Sequence, residues 1–176
     1  MVKPMTFDVA FPNALAELVE LEFDYADGEG IDFEPYQEFQ SAEDNASWLQ
    51  AWTGNKKLTG GEYRIFGQDG TGGYAAFWMV HPGKPVLEQP VVFFGSEGEL
   101  GVVASHFGDF LWLLAAGLGP MEAVAYGAPE DDKANDAFTA FAMKHGEAHK
   151  KTAKDVLEAA QRAFPAFEGD IRALCR

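Results

Sequence analysis

The hydrophobic pattern changes period along the chain, and the changes mark its elements. From Tyr63 to Ala104 the apolar residues fall in short runs broken by glycine: 62–66, 74–80, Val91–Phe94 and Leu100–Ala104. Runs of that length, rich in β-branched and aromatic side chains and bounded by turn residues, predict strands. The segments 67–73 and 95–98 carry the glycines that hairpin turns require. Four strands joined in this order form an antiparallel meander. The run Tyr-Ala-Ala-Phe-Trp-Met-Val at 74–80 is apolar without alternation, which predicts a strand covered on both faces and central to the sheet.

Elsewhere the period is helical. Asn13 is a candidate cap, after the Phe11-Pro12 entry, for a helix presenting Leu15, Leu18 and Val19 and ending before the Gly28-Glu29-Gly30 turn. Residues 31–39 alternate imperfectly, and Pro35 confines any strand there to a sheet edge. Ser41 and Asp44 form a capping box for a helix carrying Trp48, Leu49 and Trp52 on one face and stopped by Gly54. Ser105 is expected to cap a helix whose Phe107, Phe110, Leu111 and Leu114 repeat at i, i+3, i+4 and i+7, with Gly117 at its end. Past Pro120 the chain becomes alanine-rich. Ala134, Phe138, Phe141 and Ala142 make one stripe, and Ala153, Val156, Leu157, Ala160 and Phe164 another, capped by Thr152 with Asp155 and stopped by Pro165; a last short turn falls near Ile171 and Leu174. The expected fold is α+β: a central antiparallel meander sheet packed against helices in residues 1–119, with a C-terminal helical appendage, 120–176, packed on the same domain.

Composition narrows the function. At 176 residues and 47% hydrophobic content the chain builds one core of ordinary domain size. Its net charge of -15 repels nucleic acid and anionic membrane surfaces and attracts basic partners. The acidity is uneven, because no Lys or Arg stands between Lys3 and Lys56, where Glu17, Glu20, Glu22, Asp24, Asp27, Glu29, Asp32, Glu34, Glu38, Glu43 and Asp44 lie. Two readings of that stretch stay open: a solubilising surface, or one that steers a cationic partner. The lone Cys175 excludes a disulfide framework within the chain and points to a reducing compartment. The first residues lack the apolar core of a signal peptide, and no run reaches the ~18 apolar residues of a membrane span, so a cytoplasmic location is expected.

No motif marks a reaction. The glycine-rich 67–73 segment leads into a strand and lacks a Gly-Lys-Ser/Thr ending, so it reads as a hairpin turn rather than a phosphate loop. His145 and His149 stand four apart, but Gly146 breaks the helix between them and no third ligand is near in sequence. Ser96, Glu97, His81 and His106 would make a hydrolase constellation only if the sheet brought them together, and Ser96 lacks the turn that exposes a nucleophile. Trp48 and Trp52 read as core packing before they read as a binding hot spot. No catalytic residue, cofactor site or metal site is therefore assigned. The candidate partner-binding residues are Glu20, Asp24, Asp27 and Glu29 in the acidic stretch, with Asp69 and Glu97 at the two hairpin turns.

The run Asp69-Gly70-Thr71-Gly72-Gly73 into Tyr74-Ala75-Ala76, then Val91-Val92-Phe93-Phe94, Glu97, Val103-Ala104-Ser105 and Phe107-Gly108-Asp109-Phe110-Leu111, resembles the SUKH superfamily, which includes a fungal cell-wall-assembly regulator and bacterial toxin-immunity proteins. The likeness spans roughly residues 31–118. It does not extend to the family's early Leu-Pro step and Asn-Gly turn, nor to residues 120–176. The resemblance implies an α+β fold with a central antiparallel sheet, no catalysis, and binding of another protein, often a toxin nuclease. The expected partner is thus a protein, with a basic toxin domain as the first reading and a non-toxin partner of a scaffold or regulatory module as the second.

Overall fold

The computed structural model describes residues 10–23, 31–146 and 150–176. Five strands form one antiparallel sheet in chain order: β1 (Glu34–Pro35), β2 (Tyr63–Gln68), β3 (Tyr74–Trp78), β4 (Val91–Phe94) and β5 (Leu100–Ala104). The α+β class and the meander are as the pattern predicts, and β3 is the middle strand. Side chains alternate across it: Ala75 and Phe77 enter one apolar layer, Ala76 the other. Both layers are roofed by helices, which is why the strand sequences look continuously apolar.

One face carries α1 (Asn13–Leu18), α3 (Phe107–Ala115), α4 (Pro120–Tyr126) and α5 (Asp136–His145); the other carries α2 (Ala42–Thr53) and α7 (Phe167–Leu174). Helix α6 (Ala153–Ala163) packs along β5 and feeds both layers, Leu157 into one and Ala160 into the other. Residues 120–176 thus complete the core of this domain. Phe110 is fully buried and meets Phe33 and Phe66 edge to face at 5.5 and 5.4 Å, which ties α3, β2 and the segment before β1 together. Ile65 and Phe66 serve opposite layers by ordinary strand alternation, and the register then shifts so that Gly67 rather than Phe66 stands opposite Ala75. Gly67 follows, and a Cβ there would strike the Phe33 ring.

Several local expectations need correction. Asn13 is not the cap of α1 but its first residue, after Pro12, which makes no side-chain cap bond; the helix ends at Leu18, before residues 28–30 as expected. Helix α3 is capped by His106, not Ser105: the His106 Nδ1 accepts from the Asp109 N–H at 3.3 Å. An imidazole nitrogen does there what a serine oxygen commonly does. The Ser41 cap of α2, the left-handed Gly54 that ends it, and the Thr152 cap of α6 stand as expected. No single helix among the described residues is long and apolar enough to cross a membrane.

Candidate functional site

The meander places the β2–β3 and β4–β5 turns at one end of the sheet, beside the start of β1. Asp32, Glu34, Asp69, Glu97 and Glu99 gather at that end. They are not equivalent. Asp69 is 1% exposed and spends both carboxylate oxygens inside its own turn, accepting from the Gly73 N–H at 2.6 Å and the Thr71 hydroxyl at 2.7 Å. It builds the hairpin and offers no carboxylate to a partner. Glu97 is exposed at the β4–β5 tip, where its N–H donates to Glu99 Oε1, and Glu20 is exposed just beyond α1. Asp24, Asp27 and Glu29 lie outside the described residues.

Alongside β1 runs an open trough of about 1010 Å³ with Phe33 and Phe39 on its apolar side and Glu34, Glu38 and Asp44 as its charged groups. Among the described residues no Lys, Arg or His lines it. Pro35 lacks an N–H, so β1 presents a weak edge, paired with β2 through Glu34 opposite Gln68 and Pro35 opposite Gly67. Tyr36 fixes the inner wall by donating to Gln68 Oε1 at 2.7 Å, and Gln68 Nε2 donates to Glu34 Oε2 at 3.2 Å. Burial, with smaller contributions from Tyr74 and Glu34, pushes the Tyr36 hydroxyl up to about 12, so it stays a neutral donor. Glu34, Glu38 and Asp44 belong to the acidic stretch, but sequence gave no reason to prefer them; only the strand edge that sets them beside an aromatic wall does so.

No family model, curated protein or solved structure matches the chain. The functional reading therefore rests on residues and geometry. At the opposite end of the sheet, Asp109 is 2% exposed and bound by Lys151 Nζ at 2.6 Å, with His106 Nε2 at 3.5 Å from the same oxygen. This ion pair, buried on the Asp109 side and half-buried on the Lys151 side, fastens the segment before α6 to α3. His81 and His106 lie at that end, whereas Ser96 and Glu97 lie at the other, so the hydrolase constellation does not assemble. His145 approaches Glu17 Oε2 at 2.9 Å and lies tilted against Phe141, while His149 falls outside the described residues. No group of three or more His, Cys, Asp or Glu able to hold a metal occurs among the described residues.

The two tryptophans are half-buried wall residues rather than an open hot spot. Trp48 meets Tyr63, Tyr74 and Phe94 edge to face, and Trp52 donates its Nε1–H to the Gly95 carbonyl at 2.8 Å. Each has much of its area committed within the fold, and Trp52 its donor as well.

Proposed function

We propose that this protein is a non-catalytic, cytoplasmic binding module that uses the acidic trough beside β1 to hold a basic protein, most simply as a SUKH-like immunity protein that blocks a toxin domain. The observation that carries the reading is the trough itself: carboxylates with no cation among the described residues that line it, set against aromatic side chains at a weakly protected sheet edge. A nuclease needs cationic groups to hold phosphates, and a carboxylate-lined groove competes for those same groups. Long-range attraction from a chain of net charge -15 speeds encounter. A scaffold with a non-toxin partner would use the same face.

Co-expression with the product of the adjacent gene is the test. Protection from that product's toxicity, with a complex that survives purification, supports the immunity reading. A complex without protection favours the scaffold, and the absence of both protection and complex, whichever neighbouring gene is used, removes the immunity reading. Within a complex, association should slow steeply from low salt to physiological salt, where the Debye length is ~8 Å, while dissociation changes little. Equal salt slopes for wild type and a Glu20→Gln, Glu34→Gln, Glu38→Gln variant would assign the acidity to solubility alone.

A further inference from the structure

A histidine can cap a helix only through an unprotonated ring nitrogen. At the start of α3 the His106 Nδ1 accepts from the Asp109 N–H at 3.3 Å, so the proton of the neutral ring sits on Nε2, 3.5 Å from Asp109 Oδ1. One imidazole thus meets both the amide and the carboxylate of a single residue. Lys151 Nζ binds that same carboxylate oxygen at 2.6 Å. Gly108 makes room for the ring, since a Cβ there would come within 3.1 Å of its Nδ1 and Cε1. The His106 side chain is nevertheless 31% exposed, so a solvent proton reaches it. It borders a cavity of about 360 Å³ together with Glu88, from the Val86–Glu88 turn, and His145, at the end of α5. Among the described residues, Asp109, Lys151, Glu88 and His145 are the titratable groups set around it.

We propose that His106 is a proton-operated clamp on the strap that leads into α6: neutral, it caps α3 while Lys151 holds Asp109; protonated, it gives up the cap bond and displaces Lys151. One proton from solvent adds to Nδ1, and the new Nδ1–H faces the Asp109 N–H, donor against donor, so the cap bond cannot persist. That amide is one of the orphan donors of the helix N-terminus, and it returns to water. The imidazolium keeps its Nε2–H beside Asp109 Oδ1, where two cations now compete for one buried oxygen. Lys151 is the one that leaves, because its flexible stem lets the half-buried ammonium regain water, whereas the ring is fixed to α3. The strap at residues 150–152 then loses its tie to α3, at the point where Thr152 caps α6. Since α6 packs along β5, acid loosens the covering of that outer strand. The clamp lies at the end of the sheet opposite the trough and does not rest on the binding reading.

The test uses the full chain alone, isotope-labelled for nitrogen NMR and taken from about pH 8 to about pH 5, the interval in which histidine takes up a proton. At the alkaline end the His106 ring should show the Nε2–H tautomer, with Nδ1 resonating as an unprotonated nitrogen. On acidification the Asp109 amide and the Lys151 ammonium signals should move with the same midpoint as the His106 ring. Exchange of the Asp109 amide, corrected for its intrinsic pH dependence, should quicken about fivefold, the equilibrium weight of a typical cap. His106→Asn, whose amide oxygen caps at any pH, should hold both signals still across the interval. Glu88→Gln and His145→Asn should leave the three midpoints coincident. An Nδ1–H tautomer at the alkaline end, an Asp109 amide that does not follow the His106 midpoint, or a Lys151 signal that stays fixed overturns the proposal. Should His106→Asn fail to fold, the tautomer and the shared midpoint in wild type carry the test.

Discussion

Phe110→Ala tests the joint on which the sheet, α3 and the segment before β1 depend. Phe110 is 0% exposed, and it makes two edge-to-face contacts, with Phe33 at 75° and with Phe66 at 88°. Truncation removes most of a buried ring and leaves a cavity between rings that belong to different elements and cannot all close in together. Phe→Ala changes of this kind cost about 3–5 kcal/mol. The two ring pairs account for about 0.5–1.5 kcal/mol each within that range. Against a domain stability of about 5–15 kcal/mol, the loss is large but compatible with a folded variant. Urea denaturation should show a lower midpoint with an unchanged slope, since the surface exposed on unfolding barely alters. Phe110→Leu should fall between the two. A loss below about 1 kcal/mol would mean that Phe110 does not sit between Phe33 and Phe66, and the packing of α3 on the sheet would be wrong.

Lys151→Met should destabilise by about 1.5–3 kcal/mol, because Asp109 loses a charge-assisted bond in a buried site; equal thermal midpoints for variant and wild type would place the pair in solvent. Asn45→Ala leaves the Tyr63 carbonyl without the 2.8 Å bond from Asn45 Nδ2 and should cost about 1–3 kcal/mol by urea denaturation, a neutral result showing that the 3.1 Å bond from Arg64 Nη1 satisfies that carbonyl alone. Gly54→Ala forces a Cβ into φ 70° and to 2.5 Å from the Arg176 carbonyl oxygen. It should destabilise by more than the ~1 kcal/mol of an ordinary left-handed alanine, and calorimetry giving no loss would show that the contact yields freely.

Strands β2 to β5 were legible because each is a short run between turn residues, whereas β1 is only Glu34–Pro35 in an imperfectly alternating stretch and reaches β2 across α2 rather than through a hairpin. Capped helices were legible where a Ser or Thr stood three residues before an Asp. The His106 cap was not, because histidine carries no strong capping preference, and Ser105 beside it satisfied the usual pattern. Residues 120–176 read as an appendage because their stripes look self-contained; that Leu157 and Ala160 serve opposite layers appears only once α6 lies along β5. At the trough, the charges were visible in sequence but their grouping was not, since Asp69 and Glu34 look alike until one is found inside its own turn and the other at the strand edge.

The placement of α6 has a consequence for self-association. A meander has two outer strands, and each is a template on which another chain can polymerise. Here β1 is only two residues long and contains a proline, while the longer β5 is covered by α6. Trimming the chain before Ala153 would uncover the apolar, uncharged Leu-Gly-Val-Val-Ala backbone of this outer strand. The helical third of the sequence is thus a guard against fibre-like stacking as much as a source of core, and shortened versions made for binding studies should retain it.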